Sequence, residues 1–449
     1  MFVVERCAAF AQAVRARPLE PEVLHHAKRA VIDWHAALFP GAVMAPARLL
    51  ERALAEELDR GEARLALGRR ASVRAAALVN GTAAHTAEVD DIFRDGIYHP
   101  GAPTIAAALA LAQAHGASGE RLLRAVTVGY ETSTRIGVAL GRAHYRYWHN
   151  TGTVGAFGAC AAVAELLELD RTRFAHALAT VATFSSGLQR AMRGESMSKP
   201  LHGGRAAEAG VTAALAAREG VIGVLDVLEG EGGYGRAMGY DGAEAGPDWD
   251  AAFHSLNREF NITRMTFKNH TCCGHSFAAI DGALALKAKM GVAPEDIARV
   301  RVGTYKAALE VAGIEAPKTA SEARFSTKYT VATALVHGSV RFAAFETERL
   351  DDPATRALMK KIELAVDPEL DAAFPRQRAA RVEIETRTGR REQHLQPTRI
   401  GDPDAPLSDA QLDEKYLELA GPVLGARHAR ALLARLWRLE REPDCDFAQ

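Results

Sequence analysis

Aromatic residues are scarce in this 449-residue chain, 6% in all, and there are only five cysteines. Five cysteines over this length do not make a disulfide framework. Only Cys272 and Cys273 lie together, and sequence neighbours rarely bridge because the geometry is strained. An excess of one charge is lacking as well. Lys and Arg number 55, Asp and Glu 56, so no overall basic field exists to hold nucleic acid or an anionic membrane; any anion must be held by a local cluster. Long hydrophobic runs are missing. The longest, 105–112 and 154–164, are too short or too glycine-rich to span a bilayer, and the first residues lack a basic segment followed by an apolar run. The expectation is a cytoplasmic protein with neither nucleic-acid nor membrane partners.

What is present is alanine in quantity, within a chain 48% hydrophobic and 25% charged. That composition is ordinary for a globular protein, and the alanine content leans towards tightly packed helices. The length suits two or three domains, or a large domain with a smaller one inserted. Val23, Leu24, Ala27, Val31, Trp34 and Leu38 recur at helical spacing before Gly41, and similar patterns follow at 46–60, 71–87, 102–115, 119–139, 153–167, 171–187 and 203–219;. The texture then changes. Ala298, Val300 and Val302 alternate with Arg299, Arg301 and Gly303, as in a half-buried strand. Residues 362–367 form another short run, Val382, Ile384 and Thr386 alternate again, and Thr388-Gly389 is a turn before a returning arm at 391–397. Helical patterns at 274–290, 322–338 and 351–361 lie between. From Asp404 the pattern is helical again, with Ser408 as an N-cap. The expected fold is mainly α with an α+β second domain: a large all-helical domain from both chain ends (1–268 and 397–449) and a smaller inserted α+β lid domain (269–396).

Several motifs weigh little. Gly230, Gly232 and Gly235 match G-x-G-x-x-G, but no Rossmann helix is expected from RAMGYDGAEAGPDW, so a flexible loop is the better reading. Ser196 and Lys199 match S-x-x-K without the companion motifs of Ser/Lys acyl enzymes. Cys272-Cys273-Gly274-His275 lacks the spacing of a zinc loop or an iron–sulfur site, so no metal and no cofactor are expected. Three other segments carry more. His85, Glu88, Asp90, Asp91, Arg94 and Asp95 sit between two alanine-rich helices and lead to His99-Pro100. His149 precedes a small-residue helix whose Thr151, Gly152 and Thr153 offer N–H donors to an anion. Met197-Ser198-Lys199-Pro200-Leu201-His202-Gly203-Gly204-Arg205 again sets cations and glycines at a helix start. Each alone reads equally well as a solvated loop or a structural histidine. Together they suit a pocket for a small carboxylated substrate.

In combination these residues resemble the MmgE/PrpD family, which includes 2-methylcitrate dehydratase, cis-aconitate decarboxylase and iminodisuccinate epimerase. The match also takes in Phe267-Lys268, Cys272, His275, Ile280-Asp281, Ala323 to Tyr329, and Gly401-Asp402-Pro403 to Ser408, in the family's order over nearly the whole chain. The resemblance implies a helical domain from both chain ends with a smaller lid domain, a homodimer, and metal-independent chemistry on small di- or tricarboxylates between the domains. Carried over singly, it points to Asp90, Asp91, His149, Lys199 and His275 as catalytic, with His99, Arg205, Lys268, Thr151 and Thr153 binding substrate. His270 and Cys273 are alternatives to His275, because Phe277 falls where the family has a histidine when Ile280-Asp281 sets the register. Ile92 stands where the decarboxylase branch has a threonine, a mild mark against decarboxylation.

Such a site must remove a proton beside a carboxylate and cradle the enediolate that forms. His149 is the expected base or acid, with one acid of the Asp90/Asp91 pair raising the pKa of the other. Lys199 and His275 would hold carboxylates or protonate a leaving hydroxyl. Loss of a β-hydroxyl makes a dehydratase, the favoured expectation. Return of the proton to the other face makes an epimerase, and loss of CO₂ a decarboxylase. A non-catalytic binding protein is the least favoured reading.

Overall fold

Alanine and glycine let helices approach closely, and the first part of the chain uses this throughout. The computed structural model describes residues 1–192, 196–239 and 246–447. In chain order they form α1 (Val3–Arg15), α2 (Pro21–Ala42), α3 (Ala47–Ala53), β1 (Leu58–Arg64), β2 (Arg70–Ala71), α4 (Val73–Thr86), α5 (Gly101–His115), α6 (Gly119–Tyr145), α7 (Asn150–Leu166), α8 (Arg171–Ala182), α9 (Ser198–Arg218), α10 (Tyr234–Gly239) and α11 (Trp249–Phe253). Then come α12 (Phe277–Met290), β3 (Ile297–Thr304), α13 (Lys306–Ala312), α14 (Ala320–Arg324), α15 (Thr327–His337), α16 (Thr347–Leu350), α17 (Pro353–Met359), β4 (Ile362–Val366), α18 (Pro368–Ala373), β5 (Ala380–Thr386) and β6 (Arg391–Gln396). Two helices close the chain, α19 (Asp409–Leu424) and α20 (Ala426–Trp437). The chain divides into two compact units, Met1–Thr266 with Ser408–Gln449, and Phe267–Leu407.

In the first unit every residue of α7 is buried, as are the first twelve of α5. A helix apolar on all sides belongs at the centre of a domain, and α4, α6 and α9 pack around these two. Gly204 in α9 shows why small residues are needed. A Cβ there would collide with Leu78 O and Thr82 Oγ1 of α4. Alanine inside a helix is ordinarily favoured over glycine by about 1 kcal/mol. Here the collision outweighs that preference, and Gly204→Ala is expected to destabilise the protein by about 1–3 kcal/mol, read as a lowered urea midpoint at unchanged slope.

Two sequence expectations for this unit are corrected. The pattern at 46–60 stops at Ala53, and Leu58–Arg64 pairs antiparallel with Arg70–Ala71. The unit is therefore not all helical. Leu58, Ala63 and Leu65 are buried while their neighbours face out, and Asp59, Gly61 and Gly68 take positive φ, a short irregular hairpin rather than a helix. RAMGYDGAEAGPDW does begin with a helical turn, since α10 spans Tyr234–Gly239; residues 240–245 lie outside the described ones. The stretch before Gly230 forms turns and no strand, so the glycine motif lacks the strand a dinucleotide site requires.

The second unit holds a four-stranded sheet in the order β4-β3-β5-β6, with β3 parallel to β4 and antiparallel to β5, and β5 antiparallel to β6. Gly389, at φ +84°, makes the β5–β6 turn. Phe277, Ile280 and Leu286 of α12 share a core with Val300, Val302, Val382 and Ile384 of the sheet. The returning helical segment starts at Ser408, not at 397. Residues 399–402 belong to the second unit, where the Gly401 carbonyl accepts from Phe267 N–H, the Ile400 N–H donates to Asp281 Oδ2, and Arg399 pairs with Asp402. Ser408 caps α19 in a reciprocal capping box with Gln411;.

Candidate active site

The 87–100 loop between α4 and α5 is pinned along its length. The Val89 carbonyl accepts from Lys415 Nζ of α19 at 2.7 Å, and Lys415 Nζ also lies 2.5 Å from Asp33 Oδ1 of α2. Ile92 exchanges both backbone hydrogen bonds with Thr266, and Phe93 does so with Tyr98. Asp91 is held at both oxygens, by Gly101 N–H (3.0 Å) and the Tyr130 hydroxyl (2.8 Å). Glu88 sits at φ +60°, a conformation uncommon outside glycine;, and pairs with the Lys199 ammonium from the first turn of α9.

This scaffold gathers histidines around Asp90. His85 Nδ1 lies 2.8 Å and His99 Nδ1 3.3 Å from Asp90 Oδ2. The His85 ring stacks on His149, centroids 5.4 Å apart, and His149 Nδ1 lies 3.0 Å from His202 Nδ1. One of those two nitrogens must therefore carry a proton and the other accept it. Gly187 fixes this pair. Its carbonyl accepts from His149 N–H at 2.8 Å, its φ is +143°, and a Cβ there would press on the His202 ring. His149 thus has Nδ1 committed to His202, and Nε2 is left for chemistry.

The electrostatics divide the groups. Burial, with the charges of His85, Lys199, His202 and His99 adding, holds His149 well below the usual imidazole range. Burial likewise pushes His85 down to about 4. For Asp90 burial acts to raise the pKa, yet His99 and His85 together hold the carboxyl well below its ordinary value. Asp91 goes the other way, to about 8, through burial first, then Asp33, then Asp90. The two neighbouring acids are split in pKa as the sequence suggested, with burial ahead of their mutual repulsion. Burial opposes the Lys199 charge, but Glu88 and Asp90 outweigh it and its pKa is raised. The result is a neutral base, a firm carboxylate and a firm ammonium in one cluster.

Of the sequence candidates, the first unit brings Asp90, His99, His149 and Lys199 together. Thr151 is buried beside them and accepts from His99 N–H at 3.2 Å. Thr153 faces His144 Nε2 at 2.7 Å instead. Arg205 stands on the exposed face of α9, paired with Glu208, and is not drawn into the cluster. Ser196 accepts from Ser198 N–H while Lys199 engages Glu88, so no Ser–Lys dyad forms. His85, Glu88 and His202 were present in the matching segments yet not singled out, because only the folded loop shows which side chains converge. A cavity of about 310 Å³ lies elsewhere in this unit, walled by Leu38, Phe39, Leu109 and Phe447 together with Arg64, Asn80 and Gln113; none of the candidates lines it.

In the second unit, His275 Nδ1 lies 2.8 Å from the Tyr305 hydroxyl, and Tyr305 stacks on Phe374 at 4.4 Å. Burial and then the Arg378 and Arg399 charges push His275 down to about 4. The alternative His270 is tied to Asp281 at 2.8 Å, and Lys268 is buried. Tyr305 carries no sequence signal beyond its place just after a strand. Among the described residues, the one group suited to a metal ion is His85, Asp90 and His99.

With this geometry, the chain belongs to the MmgE/PrpD family. The family's N-terminal domain matches residues 5–244 and its C-terminal domain residues 270–439. At that level the chain is an enzyme of this family. Its relatives include the cis-aconitate decarboxylase-like protein oryM of Aspergillus oryzae, 26% identical over 443 residues, covering 94% of this chain and 91% of the relative. The cis-aconitate decarboxylases of Mus musculus and Homo sapiens are 28% and 27% identical, each over 82% of this chain and 76% and 77% of their own. No helix among the described residues is long and apolar enough to cross a membrane.

Proposed function

We propose that the protein is a lyase acting on a small di- or tricarboxylate, with dehydration as its reaction. The observation that carries this is the His149–His202 pair set beside the Lys199 ammonium. His149 Nε2 takes the proton from the carbon next to a carboxylate. The C–H electron pair is first held in the enediolate of that carboxylate, and it then forms the new C=C bond as the neighbouring C–O bond breaks. The departing oxygen takes a proton from Lys199 and leaves as water, and the proton on His149 then restores Lys199. His99, held by Asp90, is placed to receive a substrate carboxylate.

Decarboxylation is the second reading, favoured by the names of the three relatives. There the C–C bond breaks, CO₂ leaves, and the electron pair left on carbon takes a proton from the same imidazole pair. One assay separates the two. Incubation with 2-methylcitrate is expected to give a rise in ultraviolet absorbance from the conjugated product. Incubation with cis-aconitate tests for released CO₂. CO₂ without any dehydration product moves the assignment to the decarboxylase, solvent-deuterium exchange without net product moves it to an epimerase, and silence in all three removes the lyase reading. The same reading carries a homodimer and a cytoplasmic setting; light scattering on the purified protein checks the first.

A further inference from the structure

Three side chains of the first unit converge with binding capacity left over. One donor atom from each of His85, Asp90 and His99 lies within 4.8 Å of the others, and both Nδ1 atoms approach the same oxygen, Asp90 Oδ2, at 2.8 and 3.3 Å. Hydrogen bonds within the protein do not satisfy the group. Asp90 Oδ1 and His85 Nε2 are buried atoms with no hydrogen-bond partner, on residues that are 1% and 0% exposed. Buried polar atoms left open in this way are uncommon and call for a ligand. Two imidazoles and one carboxylate are a donor set suited to zinc-class ions. Such an ion, with bonds of about 2.0–2.2 Å, holds tetrahedral donors about 3.3–3.5 Å apart, so small ring rotations bring these three into range.

We propose that His85, Asp90 and His99 form a binding site for a divalent zinc-class ion, which takes the place of the protons otherwise shared between the imidazoles and the carboxylate. Three protein ligands leave a fourth position for water or a substrate carboxylate. The Lys199 ammonium opposes the ion's charge, but Glu88 pairs with it. The site goes beyond the proposed reaction. An ion seated there withdraws Asp90 and His99 from any proton-transfer or substrate-holding role and so makes the enzyme metal-inhibited.

The test reads binding, not turnover, so it stands apart from the fate of the lyase reading. Protein stripped with a chelator is titrated with Zn²⁺ by calorimetry and with Co²⁺ by visible absorption, which reports tetrahedral coordination. One equivalent of each is expected to bind. His99→Gln, at a partly exposed position, is expected to weaken Zn²⁺ binding by about 10-fold or more, and Asp90→Asn to do so further. His428→Gln, on the exposed face of α20, is expected to change nothing. Circular dichroism confirms that each variant is folded; should Asp90→Asn fail to fold, His99→Gln decides. Absence of saturable binding at micromolar Zn²⁺, or an unchanged Kd in folded His99→Gln, overturns the site.

Discussion

His149→Gln is expected to remove about 10²- to 10⁴-fold of turnover, the range for losing a general acid–base group, while the protein melts normally. The reasoning is geometric. His149 caps α7, its backbone N–H is bound by Gly187, and its Nδ1 is committed to His202, so Nε2 alone is left to act. Glutamine keeps a polar side chain of similar reach but accepts no proton from carbon. His202→Gln should cost less, because it disturbs the orientation and tautomer of His149 without deleting the base. Lys199→Met should abolish dehydration yet spare solvent-deuterium exchange at the substrate carbon, because proton removal precedes protonation of the leaving oxygen. Steady-state rates and deuterium incorporation by mass spectrometry check all three. If folded His149→Gln and Lys199→Met turn over as the wild type does, the site lies elsewhere.

The second large effect is on stability. Lys415 and Asp33 are 3% and 0% exposed at their side chains. Breaking such a buried pair takes the ammonium away from the buried Asp33 carboxylate, and the expected cost of Lys415→Met is about 3–5 kcal/mol. The same change frees the Val89 carbonyl, directly before Asp90. Replacing both partners, as in Lys415→Met with Asp33→Asn, should recover part of the loss, because the carboxylate is then removed together with its ammonium. Urea unfolding of the single and double variants measures this. Equal losses in the single and double variants would place the cost in packing and not in charge.

How much of this was legible in the sequence depends on the range over which each feature is specified. The helix following Ser408 and the β5–β6 arm after Thr388-Gly389 rest on local signals, a cap and a turn, and both stand in the structure. The β1–β2 hairpin was hidden because Leu54, Leu58 and Leu65 also fit a helical spacing, and only the pairing of Leu58–Arg64 with Arg70–Ala71 separates the two. Segment 397–407 looked like the start of the return, but Arg399 and Gly401 are recruited by Asp402 and Phe267, partners that no local pattern reveals. In the candidate site, Asp90, His99, His149 and Lys199 could be picked out as chemistry-bearing residues at helix ends. Arg205 looked equivalent, yet one turn of α9 beyond Leu201 points it outward to Glu208. His85 and His202 were hard to separate from ordinary structural histidines, because their importance lies in whom they face. The Lys415–Asp33 pair left no trace in the sequence at all.

That pair also bears on the order in which the molecule can be made. The Lys415 bond that ties down the Val89 carbonyl joins residues 326 apart. During synthesis the loop bearing Asp90 emerges early, with α4 and α5 on either side. It lacks this anchor until the whole second unit and the start of α19 have followed it out of the ribosome. The histidine cluster is therefore finished late in translation, and a nascent chain halted before residue 408 carries its chemical groups without the clamp that orders them.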